Sequence, residues 1–149
     1  MISSLFVYGT LMAPSVVETL IGRLPRHSAA FLAGYRRHPV RTQRYPGIVP
    51  AADTSSVVEG VLYQELTASE LQRLDWFEDD EYTRTDVRVQ DSSSGTKFEA
   101  TQVYVWTNPL EELDVSRDWD WDHFCAEHLE DYLRDVVRPC RLELDRRLL

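Results

Sequence analysis

At 149 residues the chain has the length of one domain and can bury about two-thirds of its unfolded surface around a single core. With 43% hydrophobic and 11% aromatic residues against only 6 Gly and 7 Pro, it is too rich in core material to be a disordered segment. Sixteen Lys and Arg stand against 25 Asp and Glu, and the resulting formal charge of -9 argues against nucleic acid or an anionic membrane as a partner.

In chain order, Ile2 to Tyr8 is a nearly unbroken apolar run ending at Gly9, the pattern of a buried strand entering a tight turn. No basic leader precedes it, and no stretch approaches the ~18 apolar residues of a membrane helix, so a cytoplasmic protein is expected. Pro14 suits the first turn of a short helix reaching about Leu20, where its missing N–H is not needed, and Gly22 closes that helix. Ala29 to Tyr35 alternates loosely and leads to a basic stretch, Arg36, Arg37, His38, Arg41 and Arg44. That stretch reads as a decorated loop more readily than as a contact for an acidic substrate. Tyr45-Pro46-Gly47 marks a turn before Ile48-Val49-Pro50.

Val57 to Leu66 alternates as a strand, with Val58, Gly60, Leu62 and Gln64 on one face and Val57, Glu59, Val61 and Tyr63 on the other; the pattern leaves open which face is core. Thr67-Ala68-Ser69-Glu70 has the spacing of a capping box, and Leu71, Leu74 and Phe77 follow at helical intervals. A helix from about Ala68 to Trp76 should therefore deliver the chain to Phe77-Glu78. Thr83 to Gln90 and Phe98 to Trp106 alternate as an antiparallel pair, joined by a polar hairpin loop over Asp91 to Thr96. From Trp121, the apolar positions Phe124, Cys125, His128, Leu129, Tyr132, Leu133 and Val136 keep a helical rhythm, predicting a helix over about 121–137 that stops before Pro139. Cys125 and Cys140 are the only cysteines, too few for a disulfide framework and without C-x-x-C spacing, so a reducing compartment is expected. Scattered helices among more numerous strands, without regular βαβ alternation, give an α+β class in one domain, 1–149, with a largely antiparallel or barrel-like sheet.

Four segments carry candidate chemistry. Leu5 to Leu11 places a strand, a glycine turn and a helix start in succession, which either turns N–H groups toward one anion-sized point or is an ordinary junction; it lacks the second glycine of a nucleotide fingerprint. Glu78-Asp79-Asp80-Glu81 is by composition a solvated charge run. Glu78, however, directly follows an expected core aromatic; turned inward beside like charges, it would have a raised pKa suited to general-base work. Asp118-x-Asp-x-Asp122 imitates the start of a calcium loop, but His123 and Leu129 stand where glycine and glutamate are required, so no metal is assigned. Cys125 and His128 are three apart on an apolar helical stripe, the placement of core residues rather than of a thiolate–imidazole pair.

Phe6-Val7-Tyr8-Gly9-Thr10-Leu11, Tyr45-Pro46-Gly47-Ile48-Val49, Val58-Glu59-Gly60-Val61-Leu62-Tyr63 and Leu74-Asp75-x-Phe77-Glu78-x-x-x-Tyr82-x-Arg84, in that order, resemble the gamma-glutamylcyclotransferase superfamily, and within it the avirulence-induced-gene-like branch of plants and fungi. The likeness covers approximately residues 2 to 106. It implies a compact mixed, mostly antiparallel β-barrel with flanking helices. It also implies a pocket in which Tyr8, Gly9, Thr10, Leu11 and Tyr82 bind substrate and Glu78 is the acid/base. The implied reaction is cofactor-independent: a small γ-glutamyl amine or γ-glutamyl amino acid cyclises to 5-oxoproline and releases its amine. Met12 after Leu11 departs from the glutathione-specific branch and argues against glutathione. The alternative is a non-catalytic module on the same fold that binds a small acidic metabolite or a protein. The identity of the γ-glutamyl substrate and the oligomeric state are left open by the sequence.

Overall fold

In the computed structural model, which describes residues 2–92 and 97–148, the first apolar run is β1 (Ile2–Val7), a strand buried on both faces. Phe6 points into a barrel interior shared with Leu32, Val58, Leu62, Val89 and Val103, while Leu5 and Val7 face the helices outside. Two buried faces explain why the run shows no polar alternation. Five strands close the barrel in the order β1, β5 (Val57–Thr67), β2 (His27–Ala33), β6 (Tyr82–Asp91), β7 (Phe98–Trp106). Every pairing is antiparallel except the closing contact of β7 with β1 at Phe6 and Val103. The class is thus α+β: a mostly antiparallel barrel with flanking helices. Of the expected hairpin loop, Ser93, Ser94, Gly95 and Thr96 lie outside the described residues.

β5 uses both its faces, Val58 and Leu62 inside and Tyr63 and Leu66 against the helices. Tyr63 and Leu66, an odd spacing, share a face because the chain bulges at Glu65, where φ is 60° and the β1 register slips. Gly60 is required by close approach, since a Cβ there would strike the Val7 carbonyl.

α1 (Pro14–Ile21) begins with its proline in the first turn and ends on Gly22 at φ 85°. α2 (Ala68–Glu78) is opened by the anticipated capping box: Glu70 N–H donates to Thr67 Oγ1 (3.2 Å) and Thr67 N–H to Glu70 Oε1 (2.9 Å). It runs beyond Trp76 and carries Glu78 on its last turn.

Three sequence expectations are corrected. Arg36, Arg37 and His38 belong to β3 (Tyr35–Pro39), which pairs with β4 (Pro46–Pro50), so they form a strand rather than a loop. The reversal lies at residues 41–45. Pro46 and Gly47 are in β4, and Gly47 is small because a Cβ would lie 3.0 Å from Trp106 Cβ. The C-terminal helix also does not stop before Pro139. It runs as α3 (Trp121–Glu127), α4 (Leu129–Tyr132), a π-helical turn (Leu133–Val137) and α5 (Arg138–Arg147). The wide turn before Pro139 accommodates the ring and the missing N–H, and its extra residue rotates the apolar face by one position. Val137 is consequently buried where the simple rhythm predicts Val136. No helix among the described residues is long and apolar enough to cross a membrane.

Candidate active site

At the end of β1 the chain turns at Gly9 into a 3-10 turn, Thr10–Met12. Gly9 is fixed by packing: a Cβ would lie 2.8 Å from Cγ and Cδ of Pro46. The turn closes with Met12 N–H to Gly9 O (2.9 Å) and Ala13 N–H to Thr10 O (3.1 Å), bonds that use none of the N–H groups of Gly9, Thr10 or Leu11.

Opposite this turn α2 ends in an abrupt reversal. Asp79 has φ 61° and ψ -161°, a region normally left to glycine, and its N–H donates to Asp75 O. The reversal sends the chain into β6 and sets Glu78 against the first-strand turn. The structure brings Tyr8, Gly9, Thr10, Leu11, Glu78 and Tyr82 together around one narrow pocket, completed by Val7, Tyr45, Pro46 and Tyr104. It adjoins a roomier outer chamber that shares Thr10, Tyr45, Glu78 and Tyr82 and adds Phe77, Asp79, Glu81, Tyr132, Val136 and Cys140.

Glu78 as a residue is half-buried, yet protein surrounds its carboxyl closely. Burial foremost, then the neighbouring Glu81 and Asp75 carboxylates, push its pKa up to about 8. Asp75 is itself held by Arg84 Nη2 at 3.1 Å and by the Tyr104 hydroxyl, which donates to Oδ1 at 2.7 Å. The Asp75, Glu78 and Arg84 spacing in the sequence therefore sets an ion pair beside a carboxyl that resists ionisation.

The tyrosine hydroxyls give their protons elsewhere. Tyr8 donates to the Tyr104 carbonyl (2.6 Å), Tyr82 to the Pro46 carbonyl (2.7 Å) and Tyr45 to Glu81 Oε1 (2.9 Å). Burial raises the pKa of Tyr8, Tyr45, Tyr82, Tyr104 and Tyr132, so all are neutral phenols near pH 7. Of the groups lining the inner pocket, Glu78 is the one whose pKa is moved toward neutrality.

Sequence reasoning missed Tyr45, Tyr104 and Tyr132 as walls. Tyr45 lay inside a segment read as a turn and as a family motif without a site role, and Tyr132 inside a core stripe. Cys125 and His128 line neither space. The Cys125 thiol is pushed up by burial and by Asp122, against a reactive thiolate, and His128 meets His123 edge-on at 5.1 Å between centroids. Among the described residues no cluster of three or more His, Cys, Asp or Glu is placed to hold a metal ion.

The family profile described as "Gamma-glutamyl cyclotransferase, AIG2-like" matches residues 5–123. The chain belongs to that family. AIG2-like protein D of Arabidopsis thaliana is 37% identical over 131 residues, covering 88% of this chain and 84% of that protein. A solved solution structure of an Arabidopsis thaliana protein superposes with a TM-score of 0.70 at 26% identity, covering 99% of this chain and 86% of that one. A structure titled gamma-glutamyl cyclotransferase shares the fold, with a TM-score of 0.61 at 18% identity over 72% of this chain and 68% of its own. The AIG2-like family match spans Leu5 to Val7 of β1 and the turn after it, α2 with Glu78 and the other four barrel strands, so the inner pocket lies inside the family's own region.

Proposed function

We propose that this chain is a gamma-glutamylcyclotransferase in which Glu78 moves protons within a bound γ-glutamyl amine or γ-glutamyl amino acid. The observation that carries the reading is a carboxyl with a pKa near 8 facing a glycine turn whose amides are free of the turn's own hydrogen bonds. The α-ammonium of the substrate, seated beside Glu78, favours the ionised carboxylate and gives it a proton. The freed amine attacks the γ-carbonyl carbon, a C–N bond closes a five-membered ring, and the carbonyl oxygen becomes an oxyanion. The second proton lost by the attacking nitrogen and the one held by Glu78 pass to the leaving nitrogen, and its bond to carbon breaks. The products are 5-oxoproline and an amine, with no oxidant, metal or organic cofactor in the balance.

Tyr8, Gly9, Thr10 and Leu11 bind the substrate, their amides holding either its carboxylate or the oxyanion. One such donor contributes about 3 kcal/mol when it serves the transition state. Tyr82 walls the pocket as a neutral phenol anchored on Pro46. Because nucleophile and electrophile belong to one molecule, holding it folded supplies much of the acceleration. The outer chamber receives the amine portion.

The test is release of 5-oxoproline from a panel of γ-glutamyl amines and dipeptides by the parent and by Glu78→Gln. Turnover by the parent and none by a cooperatively melting variant is expected. Equal activity of the two removes Glu78 from the mechanism, and tight 5-oxoproline binding without turnover in either marks a binding module.

A further inference from the structure

Arg37 belongs by sequence to a solvated basic stretch, but on β3 only 12% of its side chain is exposed. Its guanidinium is fixed from three directions. Nε and Nη2 donate to Asp118 Oδ1 and Oδ2 at 2.8 and 3.1 Å, and Cζ stands 5.6 Å from the centroid of the Trp119 ring. Nη1 donates to the carbonyl of Tyr8 at 2.8 Å. Asp118 in turn accepts from the Trp119 N–H at 2.7 Å, so the fork is planar, bidentate and stacked.

The Tyr8 carbonyl matters because of what it is bonded to. Across a planar trans peptide the carbonyl of Tyr8 and the N–H of Gly9 point in opposite directions. Arg37 does not line the pocket, whereas Tyr8 and Gly9 do. A carbonyl held by Arg37 leaves the Gly9 N–H on the opposite edge of the peptide plane, away from the guanidinium. Gly9 alone cannot guarantee that orientation, since glycine imposes the least backbone restriction.

We propose that Arg37 is a positioning residue, which locks the Tyr8–Gly9 peptide through the Tyr8 carbonyl and so aims the Gly9 amide at the bound γ-glutamyl group. The ligand in this statement rests on the cyclotransferase reading; the orientation of the peptide does not. Arg37 acts through geometry rather than charge on the base, for the groups that set the proton affinity of Glu78 are its burial, Glu81 and Asp75.

The experiment compares Arg37→Gln, Arg37→Lys and Asp118→Asn with the parent in 5-oxoproline release and in the amide resonance of Gly9. Arg37→Gln should lose on the order of 10- to 100-fold in kcat/KM, as misplacement of one donor does. The pH midpoint of the activity should stay where the parent has it. Arg37→Lys, which can still donate to the Tyr8 carbonyl, should recover part of the loss and remain folded if the glutamine variant does not. Asp118→Asn should lose less than Arg37→Gln. The Gly9 resonance should move in Arg37→Gln and return toward the parent position in Arg37→Lys. Activity within about twofold of the parent together with an unmoved Gly9 resonance overturns the proposal. So does a loss explained wholly by a displaced pH midpoint. If the parent itself releases no 5-oxoproline, the cyclotransferase reading fails, and the Gly9 resonance alone then decides the positioning role.

Discussion

Replacing Glu78 by Gln should stabilise the protein, and by more as pH rises. The side chain keeps its size, so at pH 5, where the native carboxyl is protonated, the two proteins should be nearly equal in stability. In the unfolded chain Glu78 ionises near its ordinary 4.5, whereas the native carboxyl holds its proton to about 8. Between these values the native state binds a proton that the unfolded state has released, so the parent loses stability with rising pH at up to about 1.4 kcal/mol per pH unit, and the loss is complete above the native pKa. The full displacement is a ceiling of roughly 5 kcal/mol, and water reaching the half-buried carboxyl through the pocket reduces it to about half. Other titrating groups are common to both proteins and largely cancel in the difference. Urea unfolding followed by fluorescence of the four tryptophans at pH 5, 6.5 and 8.5 reads it directly. With a slope of about 2 kcal/mol per molar, the variant's midpoint should exceed the parent's by about 1 M at pH 8.5 and by little at pH 5. A stability difference that stays flat from pH 5 to 8.5 would refute the raised proton affinity and with it the base.

Other perturbations address the walls of the site. Gly9→Ala drives a methyl to 2.8 Å from the Pro46 ring and should cost about 1 to 3 kcal/mol in thermal or urea unfolding; unchanged stability would mean the turn is not packed as described. Asp79→Gly removes a side chain from a backbone conformation that costs about 1 kcal/mol or more, so the melting temperature should rise by about 3 °C, and a fall would contradict the strain. Glu70→Ala removes half of the capping box and the partner of Arg23, whose Nε reaches Glu70 Oε2 at 2.6 Å, and should cost about 1 to 2 kcal/mol at pH 7. Arg23 first, then the Thr67 N–H, lowers the Glu70 pKa below 4.5, so that cost is present above pH 4.5 and should shrink as acid titrates the native carboxylate.

The periodic elements were legible from the sequence because each is decided locally. The capping box of α2, the proline and glycine bounding α1 and the alternation of β6 and β7 predict elements at the observed positions. Where a residue answers to a distant neighbour, local reading fails. Pro46 and Gly47 have turn chemistry, yet Gly47 is small for Trp106 and Pro46 walls the pocket from within a strand. Pro139 signals a helix end, and only the π-turn ahead of it shows how the helix continues. In the site, the turn at Gly9 and the glutamate after Phe77 were legible because family spacing marks them, and Phe77 does pack inward, its ring 6.3 Å from that of Tyr132. Tyr45, Tyr104 and Tyr132 come from three separate elements and carry no shared local signal. Arg37 was misread for the same reason, since its acceptors lie 29 and 81 positions away.

The most direct measurement is a crystal structure of the parent protein with 5-oxoproline bound. The lactam N–H should lie within hydrogen-bond reach of the Glu78 carboxyl, and the ring carbonyl or carboxylate should accept from amides of Gly9 to Leu11. Product seated away from that turn, or with its ring nitrogen remote from Glu78, would contradict the account.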